Sequence, residues 1–246
     1  MLRVGPSSKL SRTTEGATAD AVGAIGLPTA TGKPGPPGGA VASTAELGLL
    51  PVVSKRIFDL VVSAIVVTVA VPLMLAIAML IKLDSPGPVF YRSRRIGRHR
   101  DPFDMLKFRT MVDGADCQRD DLRHLSDAPG GVFKIRNDPR LTRVGSLLRS
   151  TSLDELPQLF QVLSGTMSLV GPRPLPPEED ALVENAEMRM EARPGVTGPW
   201  QLAGSWRVPL HQMVELDGEY LADRSTWLDV KMLARTVAYV LRRRGV

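Results

Sequence analysis

Cysteine and histidine are almost absent from this 246-residue chain, and each absence removes a class of protein. Cys117 is the only cysteine, so no intrachain disulfide can form and an oxidising compartment gains no support. His99, His124 and His211 lack metal-ligand spacing. Neither a GxxxxGK[ST] phosphate loop nor a GxGxxG fingerprint occurs, and no serine sits in a nucleophile elbow. The first fifty residues contain no aromatic side chain and are rich in Gly, Pro, Ala, Ser and Thr. Such a stretch buries too little apolar surface to offset its ordering entropy, and it lacks the compact order of a signal peptide. Residues 1–53 are therefore expected to be a disordered Gly/Pro-rich tail.

One segment is plainly different. From Leu60 to Ile81 the chain is uncharged and apolar, with Lys55 and Arg56 before it and Lys82 after it. Such a run is long enough to cross a bilayer core as a helix. Positive residues mark the cytoplasmic side, however, and here they flank both ends. Pro72, near the midpoint, removes one helix hydrogen bond and bends the chain. The expectation is a re-entrant membrane helix over 54–83, broken at Pro72, that enters and leaves by one face. A net charge of +5 and a pI near 9.6 suit an anionic membrane surface or a phosphorylated ligand. They would also suit nucleic acid, but only a weak basic-aromatic stretch accompanies them, and no recognised motif.

Asp84-Ser-Pro-Gly-Pro88 ends the apolar run. The mixed basic and aromatic pieces from Val89 to Met111 read as short extended segments. Gly114–Leu125 reads as a polar helix and Leu141–Leu148 as a short one. Leu156, Leu159, Phe160 and Leu163 recur at the spacing of one buried helix face, ended by Gly165. Prolines at 172, 174, 176 and 177 impose an extended loop. Glu178–Ala192 reads as a charged helix, and Pro194–Gly204 as a loop-rich piece holding Trp200. Trp227–Arg244 reads as either a docked core helix or an interfacial one.

Three polar motifs carry chemistry. Ser152-Leu-Asp-Glu155 before an apolar helix has the form of a capping box, with Glu155 turned back to the Ser152 amide. It also places Asp154 in a first helical turn, where an ionised carboxylate is favoured and available to bind a cation or attack an electrophile. In Gly171-Pro-Arg-Pro174, flanking prolines restrict Arg173 for a bidentate phosphate contact, although an isolated Pro-x-Pro is more often a plain turn. Lys107-Phe-Arg109, if extended, directs Lys107 and Arg109 to one face, as a diphosphate site or as a solvated pair.

Taken in order, these motifs resemble the bacterial sugar transferase family, the monotopic phosphoglycosyl transferases. The carrying residues are Lys55-Arg-Ile-Phe-Asp59, Ile81-Lys-Leu-Asp-Ser-Pro-Gly-Pro-Val-Phe90, Lys107-Phe-Arg-Thr-Met111 and Asn137-Asp-Pro-Arg-Leu-Thr142. Thr151-Ser-Leu-Asp-Glu-Leu-Pro-Gln158, Ser168-Leu-Val-Gly-Pro-Arg-Pro174, Arg193-Pro-Gly-Val-Thr-Gly198 and Trp200-Gln201 continue the series to near the C-terminus. The resemblance implies a mixed α/β, helix-rich, monotopic membrane protein with a re-entrant helix, and a cytoplasmic catalytic domain over 84–246 bearing interfacial amphipathic helices. It implies transfer of a sugar 1-phosphate from a UDP-sugar to polyprenyl phosphate at the cytoplasmic face of the bacterial plasma membrane. Asp154 matches the family nucleophile, which forms a phosphosugar-enzyme intermediate. Glu155 is its partner, with magnesium at the pair on Asp154. Lys107 and Arg173 look like the family's phosphate-binding groups, Arg149 matches a family arginine just before the catalytic motif, and Arg109 joins them as an expected substrate-binding cation. Membrane lipid is the expected surroundings and nucleic acid is not an expected partner; a homo-oligomer is compatible with the module. The rival readings are a membrane-anchored basic binding protein and an inactive family member.

The chain departs from the family pattern at Val71, where a serine often precedes the helix-breaking proline. It departs again at Pro199, and at Ala203-Gly204-Ser205 with Arg207 displaced by two. The last two changes fall where sugar choice is expected to be shaped.

Overall fold

A computed structural model describes residues 49–126, 133, 135, 137–184, 186–204 and 208–241. The expected tail lies outside the described residues up to position 48, as do Ser205–Arg207. Helix α1 (Leu49–Asp84) spans 36 residues and starts ahead of the expected position 54. One stripe of it is buried: Asp59, Ser63, Val67, Met74, Ile77 and Ile81 follow each other at three-, four- and seven-residue steps. The opposite face is apolar and exposed, as at Ile65, Val69, Leu75 and Leu83. Pro72 lies on that exposed face, and the helix runs on through it instead of breaking there as expected. Proline here removes a hydrogen bond without ending the helix, because the turns on either side are each anchored. Val67 belongs to one buried cluster and Met74 to a second, with Ile77, Ile81, Phe108 and Leu148.

The basic-aromatic stretch forms the antiparallel hairpin β1 (Phe90–Ile96) and β2 (Pro102–Phe108), in register from Phe90 opposite Phe108 to Ile96 opposite Pro102. Phe90 and Phe108 stack at 5.4 Å, a cross-strand aromatic pair that fixes this register. Gly114–Leu125 is not the expected helix: it holds only two short 3-10 turns, Ala115–Gln118 and Arg123–Leu125, because no apolar stripe gives it a face to bury.

Helix α2 (Arg143–Ser150) is capped by Thr142, whose Oγ1 accepts the Gly145 N–H at 2.9 Å. Helix α3 (Gln158–Ser164) ends at Gly165, which adopts φ +93°, a left-handed cap that glycine supplies without strain. Its buried face differs from the expected one. Gln158, Leu159 and Val162 are buried, whereas Phe160 is 42% exposed, because the helix starts two residues later than the apolar spacing suggested. Strand β3 (Ser168–Val170) pairs in parallel with β4 (Gly195–Thr197). The segment read as one charged helix divides into α4 (Pro177–Asp180) and α5 (Glu187–Glu191). Trp200 sits in the short α6 (Pro199–Leu202), followed by α7 (Leu210–Ala222) and α8 (Thr226–Leu241). The last helix docks by its first half. Leu228, Asp229 and Met232 dock in the core, whereas Val237 and Leu241 lie exposed.

A buried polar junction joins these parts. Lys55 Nζ donates to Asp229 Oδ2 at 2.7 Å, and Tyr220 OH to Asp229 Oδ1 at 2.7 Å. Asp59 accepts from Ser168 Oγ at 2.7 Å and from the Leu169 N–H at 3.3 Å. Helix α1 is thereby fixed to β3, α7 and α8 through fully partnered charges.

Candidate active site

Ser152 does not cap a helix. It takes φ +56°, a left-handed conformation rare outside glycine, its side chain makes no cap bond, and its N–H donates to Arg149 O at 3.2 Å. The strained residue opens a 3-10 turn, Leu153–Glu155, which turns both carboxylates towards β2 and the Pro172–Pro174 loop. Glu155 Oε1 accepts from Lys107 Nζ at 2.7 Å and from Arg173 Nη2 at 2.8 Å, and Oε2 accepts from Arg173 Nη1 at 3.4 Å. Asp154 is 6% exposed, with Oδ2 3.7 Å from Lys107 Nζ, beyond hydrogen-bond reach.

The adjacent carboxyls are driven apart. Burial raises the Asp154 pKa, and the lowering effect of Lys107 does not overcome it while Glu155 adds to the rise. Burial also opposes the charge on Glu155, but Arg173 and Lys107 outweigh it and hold that carboxyl well below its ordinary range. The expectation placed the favoured negative charge on Asp154; burial works against that charge, and it is Glu155 that the neighbouring cations hold ionised. On Arg173, burial disfavours the charge, yet contact with Glu155 raises its pKa.

The backbone around Arg173 is held at four successive carbonyls. Pro172 O accepts from Gly195 N at 2.9 Å, and Arg173 O from Arg189 Nη2 at 2.6 Å. Pro174 O accepts from Arg95 Nη1 at 3.5 Å, and Leu175 O from Ile96 N at 2.9 Å. Prolines on either side of Arg173 leave little torsional freedom between these clamps.

A cavity of about 580 Å³ opens over the carboxylates. Lys107, Arg149, Asp154, Glu155 and Arg173 line its polar end; Val62 and Val66 of α1 with Leu233, Val237 and Val240 of α8 form an apolar wall. Arg149, in the last turn of α2, makes no ion pair among the described residues. Arg109 is elsewhere. Its guanidinium donates to Pro86 O at 2.6 Å and to Ser85 O and Oγ at 2.8 and 2.9 Å, so it braces the loop after α1 and does not line the cavity. Strand β2 ends at Phe108, and the alternation that would pair Arg109 with Lys107 ends there too. Two cavity residues were not singled out from the sequence. Burial, with Arg173 nearby, lowers the Arg95 pKa to about 10, and Glu179 is a buried carboxylate on the same wall. Arg95 is one of five arginines between positions 92 and 100, and only its inward register on β1 distinguishes it.

Among the described residues no three His, Cys, Asp or Glu groups converge as a metal cage. Both oxygens of Glu155 already accept from cations, which leaves Asp154 as the carboxylate open to a metal. One carboxylate suits magnesium, which takes one or two protein oxygens and completes its shell with phosphate oxygens and water.

Polar groups sorted in this way, beside an apolar wall, suit a transferase of phosphorylated groups that works next to lipid. The chain belongs to the bacterial sugar transferase family, whose sequence profile matches residues 50–243. It is 40% identical over 198 residues to the undecaprenyl-phosphate galactose phosphotransferase of Salmonella typhimurium, covering 78% of this chain but 41% of that protein. The share is the same for an uncharacterized sugar transferase of Haemophilus influenzae, so the chain spans about two fifths of these relatives. Against exopolysaccharide production protein ExoY of Sinorhizobium fredii it is 36% identical, over 93% of this chain and 98% of that protein. The UDP-glucose:undecaprenyl-phosphate glucose-1-phosphate transferase of Caulobacter vibrioides is 41% identical over 76% of this chain and 69% of its own length.

Proposed function

We propose that this chain transfers a sugar 1-phosphate from a UDP-sugar to polyprenyl phosphate, giving polyprenyl-diphosphate-sugar and UMP, at the cytoplasmic face of the bacterial inner membrane. The observation that carries this reading is the division within the pair: Glu155 is neutralised by Lys107 and Arg173, while Asp154 faces a cavity with one polar end and one apolar wall. The names of the Salmonella and Caulobacter relatives agree with it. A basic binding protein would need neither the buried pair nor the cavity.

In this reading an Asp154 oxygen attacks the sugar-bearing phosphorus, an O–P bond forms, and the bond to the UMP oxygen breaks with its electron pair leaving on UMP. Polyprenyl phosphate oxygen then attacks the same phosphorus, and the Asp154 carboxylate is released. Two steps replace one direct displacement between two anions. Arg173 and Lys107, fixed by Glu155, and Arg149 at the rim, offset negative charge on the transferring group without reorganising. A magnesium ion held by Asp154 and the diphosphate would supply further charge neutralisation. The apolar wall formed by α1 and α8 receives the lipid chain and keeps bulk water from the acyl phosphate.

The re-entrant reading of α1 also belongs here. Both ends are tied to one body: Lys55 and Asp59 bind Asp229 and Ser168, while Asp84 Oδ2 accepts the Val144 N–H at 3.0 Å. The stripe through Val67 and Met74 packs on protein while the opposite apolar face is left for lipid, as expected of a helix that lies partly in the membrane. The deciding experiment is incubation of purified protein with UDP-sugar and magnesium, without lipid. A mass gain of one hexose-phosphate on Asp154, discharged by polyprenyl phosphate with matching UMP release, is the expected result. Persistent absence of label at short times would remove the covalent route, and absence of UMP with every UDP-sugar would remove the transferase reading.

A further inference from the structure

The guanidinium of Arg189 is divided between two partners. Its Nε donates to Asp217 Oδ2 at 2.8 Å and its Nη2 to the backbone carbonyl of Arg173 at 2.6 Å. Arg189 and Asp217 are both buried, Asp217 with 0% of its surface exposed. A pair kept only for its mutual attraction would meet fork to fork, two N–H groups on two oxygens. Here Nη1 of Arg189 and Oδ1 of Asp217 are left without partners among the described residues. Burying such a pair is costly, and a well-packed apolar substitute often leaves stability unchanged or improved. Attraction alone is therefore a poor account of the arrangement. What the pair does achieve is to hold one carbonyl, that of the residue whose side chain binds Glu155.

We infer that Asp217 and Arg189 are positioning residues that fix Arg173 from behind, so that its guanidinium keeps one orientation at the substrate phosphates. Three of the four carbonyl clamps on this loop come from strands or from a strand side chain. The Arg189 clamp alone depends on an ion pair between two helices, α5 and α7. Asp217 sets the direction of Arg189, Arg189 sets the carbonyl, and the proline-locked backbone transmits that setting to the Arg173 side chain. Losing the charge on Asp217 frees Arg189 to rotate and lets the loop relax towards its unclamped side. This inference rests on the proposed role of Arg173 at phosphate.

The test is a double-mutant cycle read on affinity for inorganic pyrophosphate, by calorimetry on the detergent-solubilised full chain. Asp217→Asn keeps shape and removes charge; Arg189→Lys keeps charge but cannot serve both partners. Each single variant is expected to weaken pyrophosphate roughly tenfold, as is Arg173→Lys, while adding either to Arg173→Lys costs less than about twofold more. A merely structural role lowers thermal stability in every background and shows no such coupling. Wild-type affinity in the folded single variants, losses that multiply in the doubles, or an Arg173→Lys chain with undiminished affinity would each overturn the inference. If Asp217→Asn does not fold, Arg189→Lys decides alone, and should it also not fold the pair is structural and the inference falls. Sugar-phosphate transfer assayed in parallel separates the two readings: a wild type that binds pyrophosphate with the expected coupling but transfers nothing removes the proposed function and leaves this inference standing.

Discussion

Arg173 grips Glu155 and leaves Asp154 out of the grip: Nη2 and Nη1 lie 2.8 and 3.4 Å from the two Glu155 oxygens, on the same carboxylate that Lys107 reaches at 2.7 Å. The neighbours in sequence are thus unequal in chemistry. Asp154→Asn is expected to reduce UMP release at least about 10³-fold, because a carboxamide is not a nucleophile. Glu155→Gln, which would preserve a helix cap, is expected to cost on the order of 10²-fold by releasing two cations. Near-normal turnover in Asp154→Asn would remove its assigned role.

The proposed re-entrant course of α1 is open to a direct test of topology. Tags placed before Lys55 and after Leu241 are expected to be protease-accessible from the same side of sealed vesicles. Pro72→Ala restores the missing hydrogen bond and should shift part of the population towards a spanning form. Tags on opposite faces in the wild type would replace the re-entrant reading.

Glycine at position 195 is dictated by contact, not by torsion. A Cβ there would lie 2.2 Å from Gly171 N and 2.4 Å from Thr197 O, both backbone atoms. Gly195→Ala should destabilise the fold by at least about 2 kcal/mol and impair transfer, since the Gly195 N–H holds Pro172 O. Gly218→Ala is the control. It sits within α7 with only the Met188 sulfur at 3.9 Å, and should gain up to about 1 kcal/mol in denaturant unfolding.

Burial lifts the Asp217 pKa from 3.8 to about 6, Arg189 offsetting only part of the rise. Between those values the folded chain retains a proton that the unfolded chain releases. Stability from this group is therefore full below about pH 4, falls as pH rises towards 6, and is level above that. The change is on the order of 2–3 kcal/mol. Unfolding curves of the wild type against Asp217→Asn across this range should diverge in that direction, and parallel curves would refute it.

Local rules carried the sequence reading where partners are close in the chain. The short extended segments that form β1 and β2, the Gly165 cap and the extended stretch from Pro172 to Pro176 all follow from residues within a few positions. The reading failed where a distant partner intervenes. Ser152-Leu-Asp-Glu155 has the spacing of a capping box, but Lys107 and Arg173 outbid the Ser152 amide for Glu155. Arg109 has the spacing of a phosphate ligand, but Ser85 and Pro86 take its donors. Arg189 and Asp217 are separated by 28 residues, and no periodicity marks either. Charge spacing shows which groups are available; only the fold chooses their partners.

The walls of the cavity come from the two extremes of the described chain. Val62 and Val66 belong to its first helix, whereas Leu233, Thr236, Val237 and Val240 belong to its last. Neither helix makes that wall alone, so the chamber takes shape only once α8 has packed against the core through Leu228 and Met232. The turn that carries Asp154 is held from elsewhere, by Lys107 and Arg173 on the neighbouring Glu155. A fold in which α8 alone has peeled away would therefore keep these charged groups in place and lose one wall of the vessel around them.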